Sequence, residues 1–165
     1  MTETPAQEIP RAAVIAIDGP AASGKSTVAR ELARRLGLAF LSSGDLYRAM
    51  AWACLRGGID CRDGGAVAEI AARTRLEIVR EGIGCFPRVD GEIPGDGLRG
   101  DAVNACVSPV AAVPAVRDLV TAAIREFGRG TGAVIEGRDI GSAVFPDTPY
   151  KFYIDASPDV RQRRR

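Results

Sequence analysis

The chain has 165 residues, of which 46% are hydrophobic, so it is long enough to bury one main core. Its formal net charge of +1 gives no global field that would favour a nucleic-acid polymer or a membrane surface as a partner. Histidine is absent, which excludes the commonest general base, metal ligand and pH switch and leaves catalysis to positioning, carboxylates and arginines.

The N-terminus and the cysteines bear on where the protein works. Residues 1–11 are polar and contain prolines and acids, so we predict a flexible tail, because a secretory signal would need a basic start and an apolar run. No stretch reaches the ~18 apolar residues of a membrane span. The cysteines show no Cys-x-x-Cys pairing, which favours reduced, buried thiols in a cytoplasmic protein, with a four-cysteine zinc site as the alternative. They are Cys54, Cys61, Cys85 and Cys106.

The first predicted unit is a buried strand followed by a helix. Residues 14–17 are continuously apolar, which is typical of a strand in the middle of a sheet. Residues 28–36 carry a helical stripe of apolar side chains, and Gly37 is the expected C-cap. The stripe consists of Val28, Ala29, Leu32, Ala33 and Leu36.

The segment between this strand and this helix matches the phosphate-binding pattern of a glycine, four residues and then Gly-Lys-Ser. Glycines let the chain wrap closely around a phosphate chain, so that backbone N–H groups and the positive end of the helix point at the anion. Lys25 then supplies charge, and Ser26 supplies a magnesium ligand. The alternative is a chance glycine-rich turn, although both flanks fit the pattern. The predicted loop is Gly19-Pro20-Ala21-Ala22-Ser23-Gly24-Lys25-Ser26.

A second strand and a second helix follow Gly37. Residues 38–41 predict a short strand, and two strands around one helix imply a parallel α/β sheet. Residues 42–45 offer cap residues for a helix in which Tyr47 and Arg48 fall near the carboxyl ends of the strands, the edge where open α/β sheets bind ligands. The apolar face of that helix comprises Leu46, Ala49, Met50 and Ala53.

Residues 57–100 contain many glycines, short acidic turns and few long apolar runs. Residues 67–71 predict a small helix, and residues 76–79 and 86–89 predict short strands around a turn at Glu81-Gly82. With so little connecting chain, we expect that these strands cannot share the parallel sheet. We therefore predict an inserted antiparallel subdomain that closes over one side of the site; the alternative is an ordinary glycine-rich surface excursion.

Helical periodicity returns after Asp101. Residues 102–105 and 116–127 predict one long amphipathic helix that ends at Gly128 and Gly130. A core of residues 12–165, interrupted by the insertion, is therefore expected.

Two further strands are predicted near the end of the chain. Residues 133–135 form a central strand that delivers residues 136–139 at its carboxyl end, and residues 150–154 form another that delivers Asp155. Ser157-Pro158-Asp159 is a good start for a last helix.

Several separated motifs, in this order, resemble those of the cytidylate kinases, bacterial-type P-loop nucleoside monophosphate kinases that move a phosphate from ATP to CMP. The segments Ser-Gly-x-Leu-Tyr-Arg and Gly-Arg-Asp are far more specific than the phosphate loop alone. The resemblance covers most of the chain. The matching pieces are residues 16–27, Ser43-Gly44-Asp45-Leu46-Tyr47-Arg48, residues 107–112 leading to Val116-Arg117, Gly137-Arg138-Asp139-Ile140-Gly141, residues 144–147 and residues 155–157.

This resemblance implies an enzyme that converts CMP, with dCMP as a second acceptor, to the diphosphate using Mg-ATP. The loop extended through Thr27 would bind ATP. Lys25, Arg48 and Arg138 are the implied catalytic groups, because phosphoryl transfer needs cations placed between donor and acceptor. The partners would be small nucleotides, and the protein would work as a monomer.

The implied acceptor site has two parts. Arg48 and Arg138 would clamp the acceptor phosphate, with Ser43 donating a hydrogen bond beside them. Ser108, Arg117 and Asp139 would recognise the edge of cytosine, which carries an amino donor as well as acceptors. The region from Leu76 to Pro94 resembles the enlarged acceptor-binding subdomain of the family.

Each of these residues also has an ordinary structural interpretation. Arg48 and Arg117 lie on predicted helices, where a solvated arginine is the usual outcome. Asp139 could form a local salt bridge or turn beside Arg138, and Ser108 before Pro109 could start a turn or a cap. For the whole chain the alternatives are another small P-loop kinase with a different acceptor, and a nucleotide-binding fragment without activity.

The sequence departs from the family pattern in two places. Glu136 stands where the family usually has aspartate, and we still expect this carboxylate to lie near the metal, directly or through water. The family continues with an arginine-bearing lid, a last strand and further helices beyond the position of Arg165. The resemblance therefore implies a C-terminal truncation, and we expect such a chain to bind nucleotide and to turn over poorly or not at all.

Overall fold

The computed structural model of the chain describes residues 10–164. Of the predicted tail, Pro10 and Arg11 are exposed, and the remainder lies outside the described residues. Strands and helices are interspersed along the chain, as predicted for an α/β fold. The strands are β1 (Val14–Asp18), β2 (Ala39–Ser42), β3 (Leu76–Glu81), β4 (Gly84–Val89), β5 (Ala133–Gly137) and β6 (Lys151–Tyr153). The helices are α1 (Lys25–Leu36), α2 (Ser43–Arg56), α3 (Gly64–Arg73), α4 (Asp101–Ala112), α5 (Pro114–Gly130) and α6 (Pro158–Arg163).

The six strands form one sheet in the order β3-β4-β2-β5-β1-β6. All neighbouring pairs are parallel except β3 and β4. The register pairs Asp18 with Gly137 and Ser42 with Glu136. Because carboxyl ends of parallel strands meet at one edge, the polar residues that end β1, β2 and β5 lie side by side there.

The sheet has a buried layer on each face, so the α/β fold has three layers. Along β1, Ile15 and Ile17 pack into one core cluster with Ala29 and Ala33 of α1. Ala16 points the other way, into the larger cluster formed with α2, α4 and α5. Alternation along one strand therefore supplies both cores.

The helix after the phosphate loop begins and ends as predicted, with Gly37 in the left-handed region at φ 65°. The predicted apolar stripe is wrong in part, because Val28 and Leu36 are 48% and 38% exposed. Ala29 and Ala33 are fully buried against the sheet, and Leu32 packs partly buried against the same cluster. The small side chains of the two alanines let the helix backbone approach the strands, while Val28 and Leu36 remain exposed at the sides.

The predicted antiparallel strands are present, but the expectation that they stay out of the parallel sheet is wrong. A turn with Gly82 at φ 61° reverses the chain between β3 and β4. Gly84 then pairs in parallel with Phe40 of β2, and the Phe40 N–H donates to the Ile83 carbonyl at 2.6 Å. This contact joins the hairpin to the edge of the main sheet. The boundaries of a separate acceptor-binding subdomain stay a prediction.

The single long helix predicted after Asp101 is also wrong, because the chain forms two helices that meet at an angle of 95°. The break falls at Val113, immediately before Pro114. Proline disfavours the helical conformation in the preceding residue and lacks an N–H, and its fixed φ suits the first turn of the next helix. No described helix is by itself long and apolar enough to cross a membrane, and α4 with α5 passes that test only as a bent pair.

Candidate functional site

The phosphate loop follows β1 and ends where α1 begins at Lys25. Gly19 and Gly24 have φ of 153° and 96°, a region that side chains rarely adopt. At Gly19 a Cβ would lie 2.0 Å from the carbonyl oxygen of Ile154, so the loop can take this path only with glycine there. Ser23 is 5% exposed, and its hydroxyl has no hydrogen-bond partner among the described residues. The loop thus has the shape and the free donor that a phosphate-binding turn needs.

Lys25 is held between the loop and the sheet. Its Nζ donates to the carbonyl oxygen of Pro20 at 3.0 Å and lies 3.8 Å from Oε2 of Glu136. The hydroxyl of Ser42 donates to Oε1 of the same glutamate at 2.6 Å. Glu136 is 6% exposed, so a buried carboxylate at the end of β5 is stabilised by one cation and one hydroxyl.

A cleft of about 560 Å³ opens at the carboxyl edge of the sheet. All six predicted acceptor residues line it, together with the end of the phosphate loop. The loop and the start of α1 contribute three lining residues, Ala21, Lys25 and Ser26. The acceptor set contributes Ser43, Arg48, Ser108, Arg117, Arg138 and Asp139. The remaining predicted loop residues, Gly19, Pro20, Ala22, Ser23, Gly24 and Thr27, belong to the turn and the start of α1 and do not line the cleft.

Asp139 is paired across the cleft and not with its neighbour. Its Oδ2 accepts from Nη2 of Arg117 on α5 at 2.5 Å, and this hydrogen bond raises the pKa of Arg117. The alternative of a local salt bridge to Arg138 is therefore wrong. Ser108 lies inside α4, so it neither starts a turn nor caps a helix.

Arg48 of α2 donates to the side chain of Asn104 on α4. This contact engages one guanidinium nitrogen, and the guanidinium has further donors that do not take part in it. Arg48 also lines the cleft. Arg138 lies at the start of the bend after β5 and is exposed. Two guanidinium groups thus reach one cavity from different elements.

Sequence reasoning missed three polar residues of this region. Arg99 donates to both carboxylate oxygens of Asp45, at 2.9 and 3.1 Å, and both residues line the cleft. Burial raises the pKa of Asp45, and the positive charge of Arg99 opposes that rise. Asn104 holds Arg48. Arg99 ends a short 3₁₀ turn, Gly95–Arg99, in a glycine-rich stretch without periodicity, and no local signal marks it.

The cysteines are free thiols, as predicted, and Cys106 is half-buried while the other three are buried. Among residues 10–164, no group of three acidic, cysteine or histidine side chains is arranged to hold a metal ion. The zinc alternative therefore gains no support within the described part of the chain.

A parallel sheet, a phosphate loop between its first strand and first helix, and an arginine-lined cleft at the carboxyl edge together define a P-loop kinase. Comparison with known proteins identifies the family within this class. Over residues 15–165 the sequence matches the family described as cytidylate kinase, and the chain belongs to that family.

Individual relatives agree with this assignment. The chain is 44% identical over 153 residues to a cytidylate kinase of Mycobacterium avium, covering 92% of this chain and 67% of the relative. It is 46% identical over 157 residues to a cytidylate kinase of Symbiobacterium thermophilum, covering 94% and 69%. A bifunctional pantoate ligase/cytidylate kinase of a Synechococcus strain is 44% identical over 159 residues, which cover 94% of this chain and 29% of that protein.

Proposed function

We propose that this protein transfers the γ-phosphate of ATP to CMP, giving ADP and CDP, and that dCMP is a second acceptor. The observation that carries the proposal is the single cleft that contains both the end of the phosphate loop and all six acceptor-side residues. In the reaction an oxygen of the CMP phosphate bonds to the γ-phosphorus, and the bond from that phosphorus to the ADP oxygen breaks. The acceptor oxygen is already anionic, so the absence of histidine is no obstacle.

The donor half comprises the loop from Gly19 to Thr27. Its backbone N–H groups would surround the phosphates of ATP, and Lys25, already oriented by Pro20 and Glu136, would neutralise charge on the transferred group. Lys25 would exchange part of its contact with Glu136 for the phosphate. The adjacent carboxylate then holds the lysine in place when no nucleotide is bound.

The residues present also fit a magnesium ion. Mg²⁺ usually keeps several waters and takes only one or two protein oxygens besides substrate phosphates, so a three-carboxylate cluster is not needed. The exposed hydroxyl of Ser26 and the carboxylate of Glu136 line the same cleft and would be those ligands. When bound, the ion would neutralise charge on the phosphate oxygens.

The acceptor half divides into a phosphate end and a base end. Arg48, Arg138 and Ser43 line the cleft and would supply two cations and a hydroxyl to the acceptor phosphate. Arg117 and Asp139 present a donor and an acceptor that are already paired, and Ser108 adds a hydroxyl. Cytosine offers an amino donor with acceptors along the same edge, so this set complements it better than it complements uracil, which lacks the amino group.

A spectrophotometric kinase assay that couples ADP release tests the proposal. We expect turnover with CMP and weaker turnover with dCMP, and much less with UMP, AMP or shikimate. A clear preference for a non-pyrimidine acceptor would overturn the substrate assignment. Binding of ATP without turnover of any acceptor would instead support the fragment alternative.

A further inference from the structure

Asp18, the last residue of β1, accepts hydrogen bonds from two backbone N–H groups at the start of the segment that follows β5. Its Oδ1 accepts from the N–H of Ile140 at 2.8 Å, and its Oδ2 accepts from the N–H of Gly141 at 2.8 Å. Both of these residues are buried, so their N–H groups would be costly to leave without partners. One carboxylate therefore satisfies two buried donors 122 and 123 residues away in the sequence.

The segment that Asp18 holds is a single wide helical turn, Ile140–Val144. Its other end is held by Arg125 of α5, which donates through Nε to the carbonyl oxygen of Val144 and through Nη2 to that of Ala143, both at 2.9 Å. An anion thus binds the N–H end of the turn, and a cation binds its carbonyl end. This arrangement matches the polarity of the peptide dipoles.

Arg138 and Asp139 immediately precede this turn and line the cleft. The turn begins from Asp139 itself, whose carbonyl oxygen accepts from the N–H of Ala143 at 2.8 Å. We infer that Asp18 and Arg125 are positioning residues, which hold the turn at its two ends and thereby aim Arg138 and Asp139 at the acceptor. This inference rests on the proposed function, because it assigns the two residues to the acceptor half of the site.

The position of Asp18 in the chain also links the acceptor side of the site to the phosphate loop. It is followed directly by Gly19, the first residue of the phosphate loop. The same short stretch therefore fixes where the donor loop begins and where the acceptor turn starts. Replacing the carboxylate should disturb the acceptor side selectively, because the path of the loop is set by the backbone at Gly19 and Gly24 and not by the side chain of Asp18.

The test compares Asp18→Asn and Arg125→Met with Asp147→Asn in the full chain. Asparagine has the shape of aspartate, but its amide nitrogen is a donor and would face one of the two N–H groups. Asp147 is exposed, so its variant removes a charge near the same segment without touching the turn. Calorimetric titration gives the affinities for CMP and ADP, and hydrogen exchange read by mass spectrometry reports on residues 137–145.

We expect Asp18→Asn to weaken CMP binding roughly 10- to 100-fold, the range expected when a hydrogen bond to a charged group is lost. ADP binding should change less than about threefold, and exchange should accelerate over residues 137–145 but not over α1. Arg125→Met should act in the same direction, and Asp147→Asn should match the wild type. Equal losses for CMP and ADP, or unchanged CMP affinity, would overturn the inference.

The two proposals fail in different ways. A wild-type chain that does not bind CMP contradicts the proposed function, and the exchange data then decide the inference alone. If Asp18→Asn does not fold, the Arg125 variant carries the same comparison. Unchanged exchange over residues 137–145 in both variants would show that the two side chains do not hold the turn.

Discussion

Nζ of Lys25 lies 3.8 Å from Oε2 of Glu136, and the two side chains are only 12% and 7% exposed. A lysine that must meet a phosphate is therefore already desolvated and oriented by a carboxylate of the neighbouring strand. The second oxygen of Glu136 is occupied by Ser42. Because reorganisation at the moment of reaction is small, such preorganised charge is the kind that stabilises a transition state most effectively.

Replacing Lys25 by methionine should abolish most turnover while the fold is retained. The methionine side chain fills nearly the same space, so the loss is mainly of charge at the transferred phosphate, and kcat should fall by about 100- to 1,000-fold. The coupled assay measures this, and circular dichroism checks the fold. Lys151, the other lysine of the chain, gives the control, because its side chain is exposed, donates to the carbonyl oxygen of Pro146 and does not line the cleft. A wild-type rate in Lys25→Met would contradict the role.

Asp139→Ala should damage the use of CMP far more than the binding of ATP. The site loses an acceptor for the base and also the partner of Arg117, so KM for CMP should rise at least about 100-fold while KM for ATP changes little. If both constants rose together, Asp139 would instead be structural.

A double-mutant cycle tests whether Arg117 and Asp139 act as a pair. Arg117→Ala alone should also raise KM for CMP. Because the two side chains share one 2.5 Å hydrogen bond, the double variant should lose less than the sum of the two single losses in free energy. Additive losses would mean that the residues act on the acceptor independently.

The sequence predicted the parts of the fold that depend on local pattern. The strand before the phosphate loop, the capping of α1 by Gly37 and the central strand before Glu136 follow from apolar runs and glycines. Two errors came from effects that a local pattern does not contain. The periodicity of residues 102–127 spans Pro114, whose restriction on Val113 breaks the helix, and the pairing of Gly84 with Phe40 depends on where the hairpin reaches the sheet.

In the site, too, some features were predictable from the sequence and others depend on the packed structure. Every acceptor residue that the family resemblance implied lines the cleft, since each follows a strand or lies on a helix beside the cleft. Their partners could not be predicted. The contacts of Asp139 with Arg117 and of Asp18 with Ile140 join residues 22 and 122 positions apart, and only the packed structure determines them.

Gly137→Ala should disturb both stability and the acceptor site. A Cβ at this buried position would lie 2.6 Å from Oγ of Ser43 and 2.6 Å from Cγ1 of Ile140. Relief of the clash requires the side chains of Ser43 and Ile140, or the backbone next to Arg138, to move, so we expect a loss of about 1–3 kcal/mol in the free energy of unfolding and a raised KM for CMP. Urea unfolding measures the first effect.

Gly130→Ala is the matched control, because a Cβ there would meet nothing within 4 Å. Its stability and its KM should remain close to those of the wild type. Equal effects of the two changes would show that the crowding at Gly137 is unimportant.

The buried thiols should make the protein less stable in alkali. Burial, aided by a hydrogen bond to Cys106, raises the pKa of Cys61 from 9.0 to about 12, and burial raises that of Cys85 to about 11. The unfolded chain ionises these thiols at lower pH than the folded chain does. The stability that the neutral buried thiols contribute is therefore complete below the pKa that they have in the unfolded chain, and it is lost as the pH rises toward 11 to 12.

Urea unfolding of the wild type and of Cys61→Ala at pH 7 and at pH 10.5 measures this effect. The variant should have a constant offset from the lost side chain and a smaller decrease between the two pH values. Parallel decreases would mean that Cys61 does not ionise differently in the two states. In the folded protein at pH 8, iodoacetamide should modify Cys61 and Cys85 far more slowly than in the denatured chain.

The break between α4 and α5 places Ser108 and Arg117 on two separate helices whose axes meet at 95°. In one continuous helix these residues would be about 13 Å apart along the axis; the break turns both toward one cavity. The arrangement is intolerant of changes in chain length, since one residue added within α4 after Ser108 would rotate that side chain by about 100° relative to α5. Side chains around this cleft can be exchanged one at a time, whereas the number of residues between Ser108 and Pro114 is fixed by geometry.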